Sequence, residues 1–510
     1  MLRSLLTLLA FCLLSGLALA QIPGKDLLLL KDGRIFIDIQ LEQAEGGGTL
    51  VHFNNGKILV PDGLIDEVII HNAPLPEPET EKEKEMLEEG LVPYKRRWIS
   101  VDKRKKLQAE VISERKKELA SIEEHKLWRN RYKEESKHFS FEYTTTPSNF
   151  ARYRDQLEAY FSVFAKDWKV KPPKKNKRLL VCLYGNREDF LQVGGMPAGV
   201  LGFFRFVDPM ELNFFHVRQD PQFTTEVLFH EANHYLQKLI DLDFKMPHFP
   251  GEAIAEYYGG ANWDQEQGEL TVGLILPSRL VEVKSDIDRG DIWGLEKLVS
   301  TDEAYEHYTW GWSLAHFLMH NSKYEKKFKK FVLGLAKDKD VRRESMGLGS
   351  LRTVRGKEIW RLFKKHLGLK TDEDVAELEK EWHTYLNEDL QFDSVRGKEA
   401  AGLRDLNSYP RRPLRAARLL SEAIEGGSAN PRVFDELASL KGQKGEMDEA
   451  VELWRKAVEL DPLEAEYTFH LGRALKETGE SEEGERLIAL AKEIGSSDPA
   501  LRYAFENMDD

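Results

Sequence analysis

Cysteine is nearly missing from this chain: 510 residues carry two, Cys12 and Cys182. Cys12 falls in a leader-like segment described below, so no intrachain disulfide is expected, and the fold must be held by its cores and, locally, by metal. Cys182 sits in the apolar run 179–184, the pattern of a core strand, which argues against a catalytic thiol. Positive charge is not in excess either. Lys and Arg number 74 against 87 Asp and Glu, a net −13 at pH 7. The basic residues are not gathered on one element, which argues against nucleic acid as a partner. A phosphate loop is lacking, because Gly194-Gly195 with Gly199 is not followed by Lys and Ser/Thr; a flexible loop is the reading there. Past residue 20, no apolar run reaches membrane-spanning length.

What remains is a globular composition, 41% hydrophobic and 10% aromatic, with length for two or more domains. Residues 1–20 read as an export signal. Arg3 supplies the positive charge, residues 5–14 the apolar stretch, and Ala18-Leu19-Ala20 the cleavage pattern. The mature chain is therefore expected outside the cytoplasm, periplasmic or extracellular, with no membrane span.

Residues 21–74 alternate short apolar runs with turns such as Asp32-Gly33 and Asn55-Gly56, predicting a small antiparallel β module. Residues 75–138 are dense in Lys and Glu at helix-surface spacing and read as a charged helical spacer. From residue 139 the pattern is mixed. Phe139–Tyr143 alternates as a strand, 148–168 carries a helical stripe at Tyr153, Leu157, Tyr160 and Phe164, and 179–184 and 211–217 are further strands. Asp220-Pro221 then opens a helix.

In residues 393–510, Leu403, Leu437 and Leu471 recur every 34 residues, as do Ala416, Ala450 and Gly484, and Ala423, Ala457 and Ala491. That is the tetratricopeptide period, a helix-turn-helix unit that offers surfaces to protein partners. The fold class is α+β: a β module, an α+β domain over 139–392, and a helical repeat array.

The chemistry concentrates at His230-Glu231-Ala232-Asn233-His234. Residues four apart on a helix share a face, so both imidazoles can reach one ion. Eighteen positions past His234 stands Glu252, in Gly-Glu-Ala-Ile-Ala-Glu-Tyr-Tyr. Two histidines, a glutamate and an open fourth position form the ligand set of a catalytic zinc, one ion per chain. Glu231 hangs beside the ion as general base: it takes the proton of a water held there and later protonates the leaving amine. Glu256, one turn after Glu252, is read as the carboxylate that orients a zinc histidine through its other nitrogen. Tyr308, opening an apolar helix, is the candidate oxyanion donor, with Tyr305 and Tyr257 as competitors. His216, His248, His307, His316 and His320 lack such spacing and read as packed or surface residues.

At these residues the chain resembles the gluzincin metallopeptidases, the thermolysin-like and aminopeptidase-N-like clan. Within that clan it is most similar to an exported bacterial family that joins a peptidase-like domain to C-terminal tetratricopeptide repeats. The resemblance spans roughly 139–390 and implies a peptide or protein substrate. It further implies that the strand at 211–217 is a sheet edge on which the substrate lies antiparallel, with Leu212, Asn213, Phe214 and Phe215 offering the backbone. The chain departs from the family pattern at Phe249, where tryptophan is usual, and at Ala253, where glycine is usual. The competing reading is a non-catalytic exported scaffold whose zinc is structural or vestigial. Against it stands the intact Glu231, which such a site does not need.

Overall fold

The computed structural model describes residues 26–495 apart from 72, 74, 76, 96, 173–177, 198, 207–209, 302, 346–355 and 408–410. The leader expected over residues 1–20 lies outside the described residues. Five strands follow the turn signals: β1 (Asp26–Leu30), β2 (Ile35–Gln43), β3 (Thr49–Phe53), β4 (Gly56–Val60) and β5 (Ile65–Ile69). They pair antiparallel in the order β4-β3-β2-β1-β5. The charged stretch becomes α1 (Glu81–Glu88), capped by a Thr80/Glu83 capping box, then the hairpin β6 (Leu91–Tyr94) and β7 (Arg97–Ser100), then α2 (Val101–His125). Val111 and Ile112 of α2 cover Leu27, Leu29 and Ile69, so the spacer packs on the module it follows. Asp26 is tolerated in that core because its carboxylate accepts the backbone N–H of Leu41 and of His71, each at 2.8 Å.

The α+β region begins with β8 (Tyr132–Glu135), β9 (Phe139–Tyr143), α3 (Pro147–Trp168), β10 (Leu179–Tyr184), α4 (Arg187–Gly194), β11 (Gly202–Arg205), β12 (Glu211–Phe215) and α5 (Pro221–Lys238). The sheet order is β11-β12-β10-β9-β8, with β9, β10 and β12 parallel and the two rim strands antiparallel. Alternation sorts the faces. Val181, Leu212 and Phe214 enter the main core with the α3 stripe, while Cys182, Tyr184 and Phe215 form a smaller cluster with Phe190 on the other face.

One expectation is overturned here. β12 pairs with β10 on one side and β11 on the other, so Leu212, Asn213, Phe214 and Phe215 are interior and buried. The rim strand is β11. Its four residues and opening glycine hid it, since so short a run in a glycine-rich context reads as loop.

Then come α6 (His248–Gly259), the hairpin β13 (Ala261–Asp264) and β14 (Glu269–Val272), α7 (Pro277–Arg289), α8 (Leu295–Ser300) and α9 (Ala304–His320). α10 (Glu325–Leu335), α11 (Lys339–Ser345), α12 (Gly356–Leu367) and α13 (Asp372–Thr384) complete the region. The repeat helices are α14 (Ser394–Asn407), α15 (Pro413–Glu425), α16 (Pro431–Gln443), α17 (Met447–Leu460), α18 (Ala465–Thr478) and α19 (Ser481–Ile494). The second helices of the three hairpins start 34 residues apart. Ala423, Ala457 and Ala491 are fully buried, as close helix packing demands. Glycine replaces alanine at 484 for a steric reason: a Cβ there would lie 2.6 Å from the Gly472 carbonyl oxygen.

Two compact units emerge, and they do not follow the boundaries expected from composition. One joins residues up to Ser121 with Pro462–Phe505; the other holds Ile122–Asp461. In the first, Glu493 of α19 accepts the backbone N–H of Asn54 at 2.7 Å and of Asn55 at 3.2 Å, so the β module packs with the last hairpin. In the second, α14–α17 belong with the α+β region. No described helix is long and apolar enough to cross a membrane.

Candidate metal centre

The helix that carries the histidines starts where the sequence places it. Asp220 accepts the Phe223 N–H at 3.0 Å and Pro221 occupies the first turn. One side of α5 buries Leu228, Phe229, Ala232, Tyr235 and Leu236 in the main core. The opposite side presents His230 and His234, with ring planes crossing at 86° and centroids 5.0 Å apart.

Glu252 meets them from α6. Its Oε2 lies 3.2 Å from His230 Nε2 and 3.5 Å from His234 Nε2. The ligand atoms of the three residues all fall within 4.8 Å of one another. That Oε2 is buried without a hydrogen-bond donor, a costly state for a carboxylate. Two imidazole nitrogens and a carboxylate oxygen converging in this way fit zinc. Burial works against ionising Glu252, yet His234 and His230 hold its carboxyl well below the usual range. Burial likewise disfavours charge on His230, but the carboxylates of Glu252 and Glu256 outweigh it and lift the imidazole to about 10.

Buried polar groups that the sequence reading did not assign set this geometry. Asn233, fully buried between the two histidines, donates to the Tyr160 hydroxyl of α3 and accepts from Gln237 Nε2 at 2.5 Å. Gln237 also donates to the Gly251 carbonyl at 2.8 Å, which ties α5 to the residue preceding Glu252. The only sequence signal was a pair of amides, Asn233 and Gln237, on the apolar side of a helix.

Glu256 lies behind the histidine. Its Oε1 is 3.3 Å from His230 Nδ1, close enough for charge contact though angled off a formed hydrogen bond. Arg279 of α7 grips the same carboxylate with both arms, Nε to Oε2 at 2.8 Å and Nη2 to Oε1 at 2.7 Å. Arg279 and His230, respectively, hold Glu256 far on the ionised side against its burial.

Tyr308 stands over the site, its ring 5.6 Å from that of His230 and 5.4 Å below the Arg279 guanidinium. Burial, then the carboxylates of Glu252, Glu231 and Glu256, push its hydroxyl strongly up, so it carries its proton at neutral pH. Of the competitors, Tyr305 is 49% exposed, and Tyr257 packs beside His316 and His320. Glu231 is positioned by β11: a Cβ on Gly202 would lie 3.1 Å from Glu231 Cγ and 2.7 Å from Val227 Cγ1. The rim strand therefore passes directly over Glu231. Arg205 of that strand is paired with Glu211 at 2.5 Å.

Two histidines that sequence spacing left unassigned stand nearby. His248 Nε2 is 4.0 Å from Glu252 Oε1, and its Nδ1 meets His307 Nδ1 at 2.9 Å. His307 Nε2 faces the Leu298 carbonyl at 3.1 Å and must donate to it, so His307 Nδ1 accepts and His248 Nδ1 donates. Burial, then His248, push His307 down to about 4, consistent with a neutral ring. The kink at Phe249 brought His248 in, and spacing on a straight helix could not show that. Phe249 is buried against His307 and Phe363. Ala253 faces Gly311 of α9, where an added Cβ would sit 3.4 Å from the alanine methyl.

No family model matches the sequence, and no curated protein matches it. Nine solved chains do match. One is the crystal structure of MamA, at 17% identity over 38% of this chain and 96% of that chain, with a TM-score of 0.20. So low a score leaves the site to be read from its own geometry.

Proposed function

We propose that the protein is an exported zinc-dependent peptidase of the gluzincin type. The observation that carries this reading is the convergence of the His230, His234 and Glu252 ligand atoms beside Glu231 and Tyr308. Zinc held by those three residues would acidify a water and polarise the scissile carbonyl. Glu231 takes the proton of the attacking water and returns it to the leaving nitrogen. The Tyr308 hydroxyl donates to the developing oxyanion. Glu256 orients the His230 ring. The peptide lies along the rim strand β11, Gly202–Arg205, on the side away from its partner strand β12. Action outside the cytoplasm follows from the leader-like residues 1–20, and the repeat hairpins offer a surface for protein substrates or partners.

The test uses the purified full-length chain, zinc analysis and a mixed peptide library, with Glu231→Gln as control. The expected result is cleavage by the zinc-loaded chain, and loss of cleavage with zinc retained in the variant. Equal turnover by Glu231→Gln would refute the assigned base; stoichiometric zinc with no cleavage of any peptide would refute peptidase activity.

A further inference from the structure

A metal-ligating imidazole keeps its orientation through its other nitrogen, and here the partner on that nitrogen is itself held from a distance. Glu256, 6% exposed and 3.3 Å from His230 Nδ1, has both carboxylate oxygens engaged by Arg279, itself 11% exposed. The remaining Arg279 nitrogen, Nη1, lies 3.7 Å from Glu282 Oε2 on the next turn of α7. Glu282 Oε2 accepts the Thr309 hydroxyl at 2.9 Å, and Thr309 is the neighbour of Tyr308 on α9. Its other oxygen accepts from Arg412 at 2.6 Å and Arg415 at 3.3 Å, both at the start of α15. Asp405 of α14 closes the chain, 3.3 Å from Arg415 Nε. A second strut runs alongside: Arg404 of α14 donates to Glu226 at 3.0 Å and to Ser278 at 3.1 Å. Glu226 is one turn before His230 on α5, and Ser278 adjoins Arg279.

Charges alternate along the whole path, carboxylate then guanidinium, from the metal ligand to the first repeat hairpin. The order has a physical reason. A buried carboxylate that faced only a neutral imidazole would protonate or turn away, and the bidentate guanidinium prevents both. Lysine could not replace it, since a single ammonium cannot span the two oxygens in a fixed plane.

We infer that Arg279 is a positioning residue for the metal centre. It acts on His230 through Glu256 and is held by Glu282 with Arg412 and Arg415, so the first repeat hairpin is part of the site rather than an appended binding module. This inference rests on the metal reading above, though not on the identity of any substrate.

The experiment measures Zn²⁺ affinity of the full-length chain by chelator competition, and the visible spectrum of its Co²⁺ form. Arg279→Lys, which keeps the charge, is expected to lose about 10- to 100-fold in affinity and to shift the Co²⁺ bands, with circular dichroism unchanged. A cycle separates positioning from mere folding. If Arg279 acts through Glu256, then Glu256→Gln combined with Arg279→Met binds no more weakly than Glu256→Gln alone. Fully additive losses would overturn the inference. Arg412→Met with Arg415→Met, remote from the ion, is expected to weaken binding in the same direction, and unchanged affinity there would overturn the hairpin's part. A wild-type chain that binds no metal would bring down the proposed function itself. A wild-type chain that binds metal, beside an Arg279→Lys variant of equal affinity and identical spectrum, would bring down this inference alone.

Discussion

Replacing Asn233 by leucine removes hydrogen bonds while nearly keeping volume, so its cost can be worked from the partners left behind. Tyr160 is fully buried, and the Asn233 amide donates to its hydroxyl; stranding that hydroxyl costs about 1–3 kcal/mol. Gln237 keeps its bond to the Gly251 carbonyl at 2.8 Å and loses the one to Asn233, roughly 0.5–1.5 kcal/mol more. The expected loss is ~2–4 kcal/mol. Tryptophan fluorescence during urea unfolding suits the measurement, because every tryptophan except Trp98 lies in the larger unit with this network. Adding Tyr160→Phe then removes the stranded hydroxyl and should recover ~1–2 kcal/mol, because deleting both partners is cheaper than orphaning one. The stabilisation conferred by saturating zinc should also shrink, since the Gly251–Glu252 segment loses part of its anchor. A loss under ~0.5 kcal/mol for Asn233→Leu, or a further full-sized loss on adding Tyr160→Phe, would refute the network as the support of the site.

Gly202→Ala places a methyl 2.7 Å from Val227 Cγ1 and 3.1 Å from Glu231 Cγ; turnover should fall about tenfold or more with zinc retained, and Val227→Ala should restore it. Unchanged turnover would mean that β11 does not constrain the base. Glu306 is pushed up to about 7, first by burial and then by Asp286, Glu282 and Glu303. A raised carboxyl favours its protonated form in the fold, so it destabilises as pH climbs from the ordinary value of 4.5 through about 7. Glu306→Gln should therefore gain about 1 kcal/mol at pH 8, after discounting for solvent, and nothing at pH 4.5; a gain independent of pH would contradict this. A chain ended after residue 393 lacks Arg404, Arg412 and Arg415, which takes the hydrogen-bonded guanidinium from Glu226 and leaves Glu282 with Arg279 alone, at 3.7 Å. At ~3–5 kcal/mol for the broken Glu226–Arg404 pair, and less for the solvent-screened Arg412 contact, it should neither unfold cooperatively nor hold zinc, whereas full metal affinity in that fragment would make the repeats dispensable.

Much of the architecture was legible because local signals agreed. The turns at Asp32-Gly33 and Asn55-Gly56 bracket the first strands, and the stripe Tyr153, Leu157, Tyr160 and Phe164 is the buried face of α3. The 34-residue recurrence falls on buried positions of the repeat helices. The meeting of His230, His234 and Glu252 could be read because two of them share a helix face and the third sits in a motif of its own. What stayed hidden was tertiary. β11 was too short to carry a period, so the sheet rim was assigned to its interior neighbour. His248 enters through a kink. Arg279, Glu282, Arg404, Arg412 and Arg415 are scattered over more than a hundred positions, and each alone looks like a surface charge; only the fold shows that they meet in one network. For the same reason composition could not reveal that the first two repeat hairpins belong with the α+β region.

The most direct test is zinc K-edge X-ray absorption on the full-length chain carrying one equivalent of zinc. Two imidazole nitrogens, one carboxylate oxygen and a further oxygen or nitrogen at about 2.0–2.2 Å are predicted, with the imidazole signal halved in His234→Ala. Sulfur in the shell, a full set of protein imidazoles, or a spectrum indifferent to His234→Ala would contradict the account.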